Sequence, residues 1–174
     1  MDLIVDLPDL NLYNPDLEVR TVYYNAPPTK LGPRAQVTRS LVANGAIVNG
    51  RVEDSVIFPR VFIEEGAFVK DSIVFEDTTV NQVAAIDRSI IDKRVWVGPG
   101  ACIGYSDDFT PNREEPTHLN TGITLVGKGA KIPGEMKIGR NCKIGCWVES
   151  ADFDSKIIAS GDTVTKKTPR AYSI

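Results

Sequence analysis

The sequence predicts an all-β fold, a single-stranded left-handed parallel β-helix of hexapeptide repeats with an N-terminal linker arm and one long loop insertion. Three observations carry this reading. An aliphatic residue returns at every sixth position in Ile91-Asp92, Val97-Gly98 and Ile103-Gly104, and again in Val126-Gly127, Ile132-Pro133, Ile138-Gly139 and Ile144-Gly145. A coarser period lies over it. Asp54-Ser55-Val56-Ile57, Asp71-Ser72-Ile73-Val74 and Arg88-Ser89-Ile90-Ile91 begin 17 residues apart, and Arg39-Ser40-Leu41-Val42 begins 15 earlier. Small residues (Ala67, Ala101, Ala130, Cys142) follow four positions after an aliphatic of the repeat.

Period six suits neither a helix, which needs apolar spacings of three and four, nor one alternating strand. It suits a short strand, a corner and another short strand, with one aliphatic side chain aimed inward from each flat face. Three such faces make a coil of about 18 residues, and hexapeptide repeats of this kind mean a parallel β-helix. The 17-residue recurrence is that coil with one residue trimmed from a corner. Gly, which tolerates positive φ, and Pro, which presets φ, suit the corners. Gly45, Gly50, Gly66 and Gly98 read as corner glycines. A single coil cannot stand alone. Its three buried aliphatics contribute roughly 1.5–3 kcal/mol each, whereas ordering each of its residues costs roughly 1–2 kcal/mol in backbone entropy. Coils must therefore stack, and both ends need caps.

In chain order, residues 1–34 lie outside the repeat. They read as a short helix or extended arm around Leu10-Asn11-Leu12-Tyr13, a strand over 19–24, and a linker stiffened by Pro27-Pro28. The β-helix domain is assigned to 35–174. Coils run from about Ala35 to Gly104 and resume at about Ile123, continuing through Cys146. The polar stretch 105–122 interrupts them, and structureless loops of that length are uncommon and usually functional or disordered. The tail from Ala151 keeps only a loose period and is expected to cap the last coil.

A chain of 174 residues with net charge −3 bounds one modest domain and argues against a nucleic-acid partner. No run of 18 apolar residues exists to meet a membrane. The start, Met1-Asp2-Leu3-Ile4-Val5-Asp6, is acidic and lacks a secretory n-region, so the expected location is cytoplasmic. Cys102, Cys142 and Cys146 read as reduced core or corner residues, since no second Cys/His pair completes a zinc site.

Left-handed β-helix proteins include acyltransferases and a zinc carbonic anhydrase. The anhydrase needs three imidazoles around its metal, and this chain has one histidine. Acyl transfer needs a general base. His118 is the one candidate, and it falls in the polar stretch, where a lone histidine is usually solvated. No catalytic residue and no metal ligand is therefore assigned. Trp96 and Trp147 read as outward residues that pack on a neighbouring domain or subunit, and Phe58, Phe62 and Phe68 as external packing between coils. Arg113-Glu114-Glu115 reads as a solvated loop face.

Several segments together resemble the C-terminal part of ADP-glucose pyrophosphorylase (glucose-1-phosphate adenylyltransferase). They are Leu10-Asn11-Leu12-Tyr13-Asn14, Pro27-Pro28-Thr29-Lys30, Ser40-Leu41-Val42-Ala43-Asn44-Gly45, Ser55-Val56-Ile57-Phe58-Pro59-Arg60-Val61, Ser89-Ile90-Ile91-Asp92-Lys93 and Gly122-Ile123-Thr124-Leu125-Val126-Gly127-Lys128. Hexapeptides alone are shared by every such solenoid; the linker, the Ser-Val-Ile-Phe-Pro-Arg-Val coil and the loop before Gly-Ile-Thr are more specific. The resemblance implies the regulatory and oligomerisation domain of an enzyme that joins ATP and glucose 1-phosphate, inert alone. It implies a separate catalytic domain that binds Mg²⁺ and ATP, with no cofactor in this fragment. The implied partners are that domain, further copies in a homo-tetramer, and a phosphorylated sugar or organic-acid effector. Lys93 and Lys128 match effector-binding lysines of the family, and Asp92 belongs to the same site. By spacing alone these lysines are ordinary solvated corner residues. Other readings of the same solenoid are a stand-alone acyltransferase using His118, the β-helix of another sugar nucleotidyltransferase, or a non-catalytic partner subunit.

Overall fold

The computed structural model describes residues 25–167 continuously, with residue 4 and residues 8–12 and 14–16. The strand read over 19–24 lies outside the described residues, as does Tyr13 of the arm.

Short parallel strands stack into three flat sheets, so the chain is a parallel β-helix. Face A holds β1 (Lys30–Leu31), β4 (Ile47–Val48), β7 (Phe62–Ile63), β10 (Thr79–Val80), β13 (Trp96–Val97) and β16 (Lys131–Ile132). Face B holds β2 (Gln36–Thr38), β5 (Arg51–Glu53), β8 (Phe68–Lys70), β11 (Ala85–Asp87), β14 (Cys102–Ile103), β17 (Lys137–Ile138) and β19 (Ile157–Ile158). Face C holds β3 (Leu41–Val42), β6 (Val56–Ile57), β9 (Ile73–Val74), β12 (Ser89–Ile91), β15 (Thr124–Val126), β18 (Lys143–Ile144) and β20 (Thr163–Val164). The first rung lies inside the stretch read as linker, because Lys30 already pairs with Ile47.

The repeat aliphatics form the core. Ile57, Ile63, Val69, Ile91, Val97, Ile103, Val126, Ile132, Ile138 and Ile144 are all buried in one continuous cluster. Ala67, Ala101, Ala130 and Cys142 are buried beside them, where the converging walls admit only small side chains.

The trimmed residue is at the B–C edge. There the inward residue arrives one position early, Val74 after Val69 and Ile91 after Ile86. One residue in the left-handed region makes this tight turn: Arg39 (φ 44), Asp54 (φ 47), Asp71 (φ 46) and Arg88 (φ 43). A serine follows each of them. Ser40 Oγ accepts from Ser55 N at 3.1 Å, Ser55 Oγ from Ser72 N at 3.2 Å, and Ser72 Oγ from Ser89 N at 3.0 Å. Each hydroxyl also donates to the carbonyl two residues back. The ladder satisfies buried amides that the shortened corner would otherwise orphan. The 15-residue recurrence has a different cause. Only Asn49 and Gly50 connect β4 to β5, where Glu64–Ala67 connect β7 to β8.

Not all the corner glycines are there for positive φ. Gly45 (φ 78) and Gly66 (φ 75) are. At Gly98 the constraint is coil-to-coil approach, since a Cβ there would lie 2.5 Å from Gly134 N.

The 105–122 stretch is a folded insertion, and the ladder passes it without a slip: Ile90 pairs with Leu125 and Cys102 with Lys137. Asn112, fully buried, donates to Asn141 O at 3.0 Å and accepts from Glu114 N and Glu115 N, both at 3.0 Å. Asn141 donates to the carbonyls of Phe109 and Thr110 and accepts from Gly122 N at 2.7 Å. Arg140 donates to Ser106 O and Asp87 Oδ2, each at 2.7 Å, and lies 5.2 Å over the Phe109 ring.

Candidate effector site at the C–A edge

At the C–A edge the coils from β6 to β18 each present a corner pair, and the pairs stack. They are Pro59-Arg60, Glu76-Asp77, Lys93-Arg94, Lys128-Gly129 and Cys146-Trp147. The second member is in the left-handed region, with φ between 58 and 67. Its N–H donates to the carbonyl of the first member one coil earlier: Asp77 to Pro59, Arg94 to Glu76, Gly129 to Lys93 and Trp147 to Lys128. The Gly129-to-Lys93 bond is 2.9 Å and carries the ladder across the insertion. Lys93 and Lys128, far apart in sequence, thereby occupy equivalent corners of adjacent coils.

The Lys93 ammonium is 2.7 Å from Glu76 Oε1. Burial works against charge on Glu76, but the Lys93 hydrogen bond and its own backbone amide hold the carboxyl below its ordinary range. Asp92 faces the backbone: its Oδ1 accepts from Lys93 N at 2.7 Å. It fixes the corner that carries the lysine. Lys128 is half-buried at the next corner. The corners of Lys93 and Lys128 thus stack on one edge of the solenoid, with the Lys93 ammonium ion-paired to Glu76.

Glu76 escaped the sequence reading, although the coil period could have found it, because it stands 17 residues before Lys93. The same offset places Asp77 against Arg60, bonded through both carboxylate oxygens at 2.6 and 2.9 Å. Asp77 is held below the ordinary carboxylate range, chiefly by the Arg60 hydrogen bond.

The other candidates disperse. His118 lies on the insertion with its side chain 82% exposed, 3.1 Å from Thr117 Oγ1. Arg113 is ion-paired with Asp162, and Glu115 lies 3.3 Å from Lys143. Trp96 is exposed on face A; Trp147 packs its indole over Gly129. Phe58 packs on Phe75 with ring centroids 4.5 Å apart, and Phe68 lies under the Arg51 guanidinium at 4.9 Å. The three cysteines are free thiols, and burial pushes Cys142 up to about 11. Among the described residues no group of three or more His, Cys, Asp or Glu side chains is placed to hold a metal ion.

The model of the GlmU-like C-terminal hexapeptide family matches residues 27–126. The chain belongs to that family. A glucose-1-phosphate adenylyltransferase of Thermomicrobium roseum is 46% identical over 165 residues, covering 94% of this chain and 39% of the relative. One from Acetivibrio thermocellus is 36% identical over 166 residues, covering 95% of this chain and 39% of the relative. The chain thus spans about two fifths of the length of the curated relatives it matches. A solved UDP-N-acetylglucosamine acyltransferase of Francisella novicida superposes over 70% of this chain and 45% of its own, with TM-score 0.49 and 18% identity. The resemblance to the adenylyltransferases, drawn above from the linker and coil segments, therefore extends over nearly the whole chain.

Proposed function

We propose that this chain is the regulatory and oligomerisation β-helix of a glucose-1-phosphate adenylyltransferase, inert by itself. The observation that carries the reading is the 46% identity to such an enzyme across 94% of this chain. In this reading ATP, Mg²⁺ and glucose 1-phosphate bind to a catalytic domain elsewhere in the same polypeptide, which forms ADP-glucose and pyrophosphate. The full-length protein assembles as a homo-tetramer in the cytoplasm.

Lys93 and Lys128 receive the phosphate of a sugar or organic-acid effector. The stacking of their corners on adjacent coils supports this. Asp92 acts here as a positioning residue through its bond to Lys93 N. Glu76 holds Lys93 when no effector is bound.

The 174-residue chain is expected to make no ADP-glucose from ATP and glucose 1-phosphate in the presence of Mg²⁺; measurable turnover overturns the claim of inertness. Calorimetry with a panel of phosphorylated sugars and organic acids tests the lysines. Lys93→Met and Lys128→Met should each weaken binding about tenfold, the loss of one charge-assisted contact. Unchanged binding in both removes the assignment.

A further inference from the structure

We infer that the notch at the A–B edge binds a neutral oligosaccharide, through side-chain amides that nothing in the chain itself engages. The notch exists because one coil lacks a corner. Only Asn49 and Gly50 connect β4 to β5, and Gly50 lets this connection lie close against the next coil, where a Cβ would run into the Ala67 carbonyl. The corner of Pro33-Arg34 on one side and that of Glu65-Gly66 on the other stand as walls, and the space between them holds about 1050 Å³. Arg34 reaches across it to Glu65 at 2.7 Å.

The lining is polar without a surplus of positive charge. Its two guanidinium groups, Arg34 and Arg51, are matched by Glu65 and by Glu53, which accepts from Arg51 Nε at 2.8 Å. Glu64 beside them accepts from Gln82 N at 3.0 Å. An anion therefore has nothing to draw it here. What is left over is neutral: among the described residues, the side-chain amides of Gln36, Asn49 and Gln82 have no hydrogen-bond partner. Each offers two N–H donors and an acceptor oxygen. An uncharged ligand that donates and accepts along its whole length is a polyol. Phe68 and Val83 add apolar surface for the C–H face of a sugar ring, and the Arg51 guanidinium is held 4.9 Å over the Phe68 ring. An extended peptide is the competing occupant, and it would need free backbone groups to pair with. The floor has none to give at Gln36, Asn49 and Arg51, whose N–H groups donate to the Gly50, Ile63 and Ala67 carbonyls.

Val83 supports the same assignment. It is β-branched, 68% exposed and at φ 59, where Gly66 and Gly100 hold the corresponding corners of the neighbouring coils. A β-branched residue in that region is strained, and such strain clusters at functional positions. Val83 forms the ridge between the notch and a second hollow of about 500 Å³, lined beyond it by Pro99, Gly100, Gly134 and Glu135. The two hollows together follow the corners after all six strands of face A, about 24 Å at the spacing of paired strands. That length suits a chain of sugars rather than one ring. Neither Lys93 nor Lys128 lines either hollow, so the inference does not rest on the adenylyltransferase reading.

Calorimetric titration of the 174-residue chain with maltoheptaose, cellohexaose and chitohexaose tests this. At least one should bind saturably, with the same affinity at low and high salt. Gln36→Ala and Gln82→Ala should each weaken that binding about fivefold, the loss of one neutral hydrogen-bonding group. Both side chains are exposed, so the coils should stack as before. Val83→Gly, which removes the ridge and relieves the strain, should weaken binding as well. Binding of none of the three sugars overturns the proposal, and so does binding that a Gln36→Ala/Gln82→Ala chain retains in full. A Lys93→Met/Lys128→Met chain should keep the sugar affinity; a loss there would put the sugar at the C–A edge and equally overturn the assignment of the notch.

Discussion

Two of the ways in which the chain turns the B–C corner contrast. Through four successive coils it uses one left-handed residue and a serine, bonded to the same serine one coil away. After β14 it leaves for residues 105–122 and returns to the same edge at Gly122. The first solution repeats one small interaction, so support is spread along the stack. The second concentrates it in Asn112, Arg140 and Asn141, three long-range anchors without a period. A solenoid thus tolerates a large insertion at one corner when the neighbouring coils provide buried partners that pin it.

The comparison can be broken at its anchors first. Arg140 and Asp87 are only 12% and 13% exposed, and removing one partner of a buried ion pair costs about 3–5 kcal/mol. Arg140→Met should lose that much in urea unfolding, and limited proteolysis should cut first within 105–122. A loss under about 1 kcal/mol, the range of an exposed pair, would show that the insertion is held elsewhere.

The serine ladder should give a smaller and differently placed effect. Ser72→Ala leaves Ser89 N buried without its acceptor, a loss of about 1–3 kcal/mol. The whole stack should weaken while the cleavage pattern of the insertion stays as it was.

The smallest effect belongs to the exposed charge pairs between corners. Asp77 titrates lower in the folded chain than in the unfolded one, so its stabilisation is complete above the ordinary carboxylate value near about 4. It is lost as pH falls through the lowered folded value. Asp77→Asn should flatten stability against pH below about 4 and change it by less than about 1 kcal/mol at pH 7. An equal acid slope in both chains would mean that the Arg60 pair contributes nothing.

The coils were readable because each inward position has the same environment as the one a coil earlier. Ile57, Ile63 and Val69 could therefore be assigned inward from spacing alone, and Ala67 and Ala101 assigned to the narrow wall. Corner glycines were half legible: Gly66 needs its φ, but Gly98 is required by a neighbouring coil that spacing does not reveal. Lys93 and Lys128 were singled out through family resemblance, while the pairing of Lys93 with Glu76 waited for the register, although its offset was in plain view. Asn112 and Arg140 sit in non-repeating sequence, with no period to signal that their partners are Asn141 and Asp87.

Periodicity by itself determined the β-helix, its inward residues and the place of its interruption, because a six-residue cadence has one way to bury an aliphatic on each of three faces. Only the tertiary structure decided what meets across the coils: the Lys93 and Lys128 corners, the notch between Arg34 and Glu65, and the anchoring of the insertion. Those contacts depend on register and on side chains from distant segments, and register is a property of the stacked coils that no single coil contains.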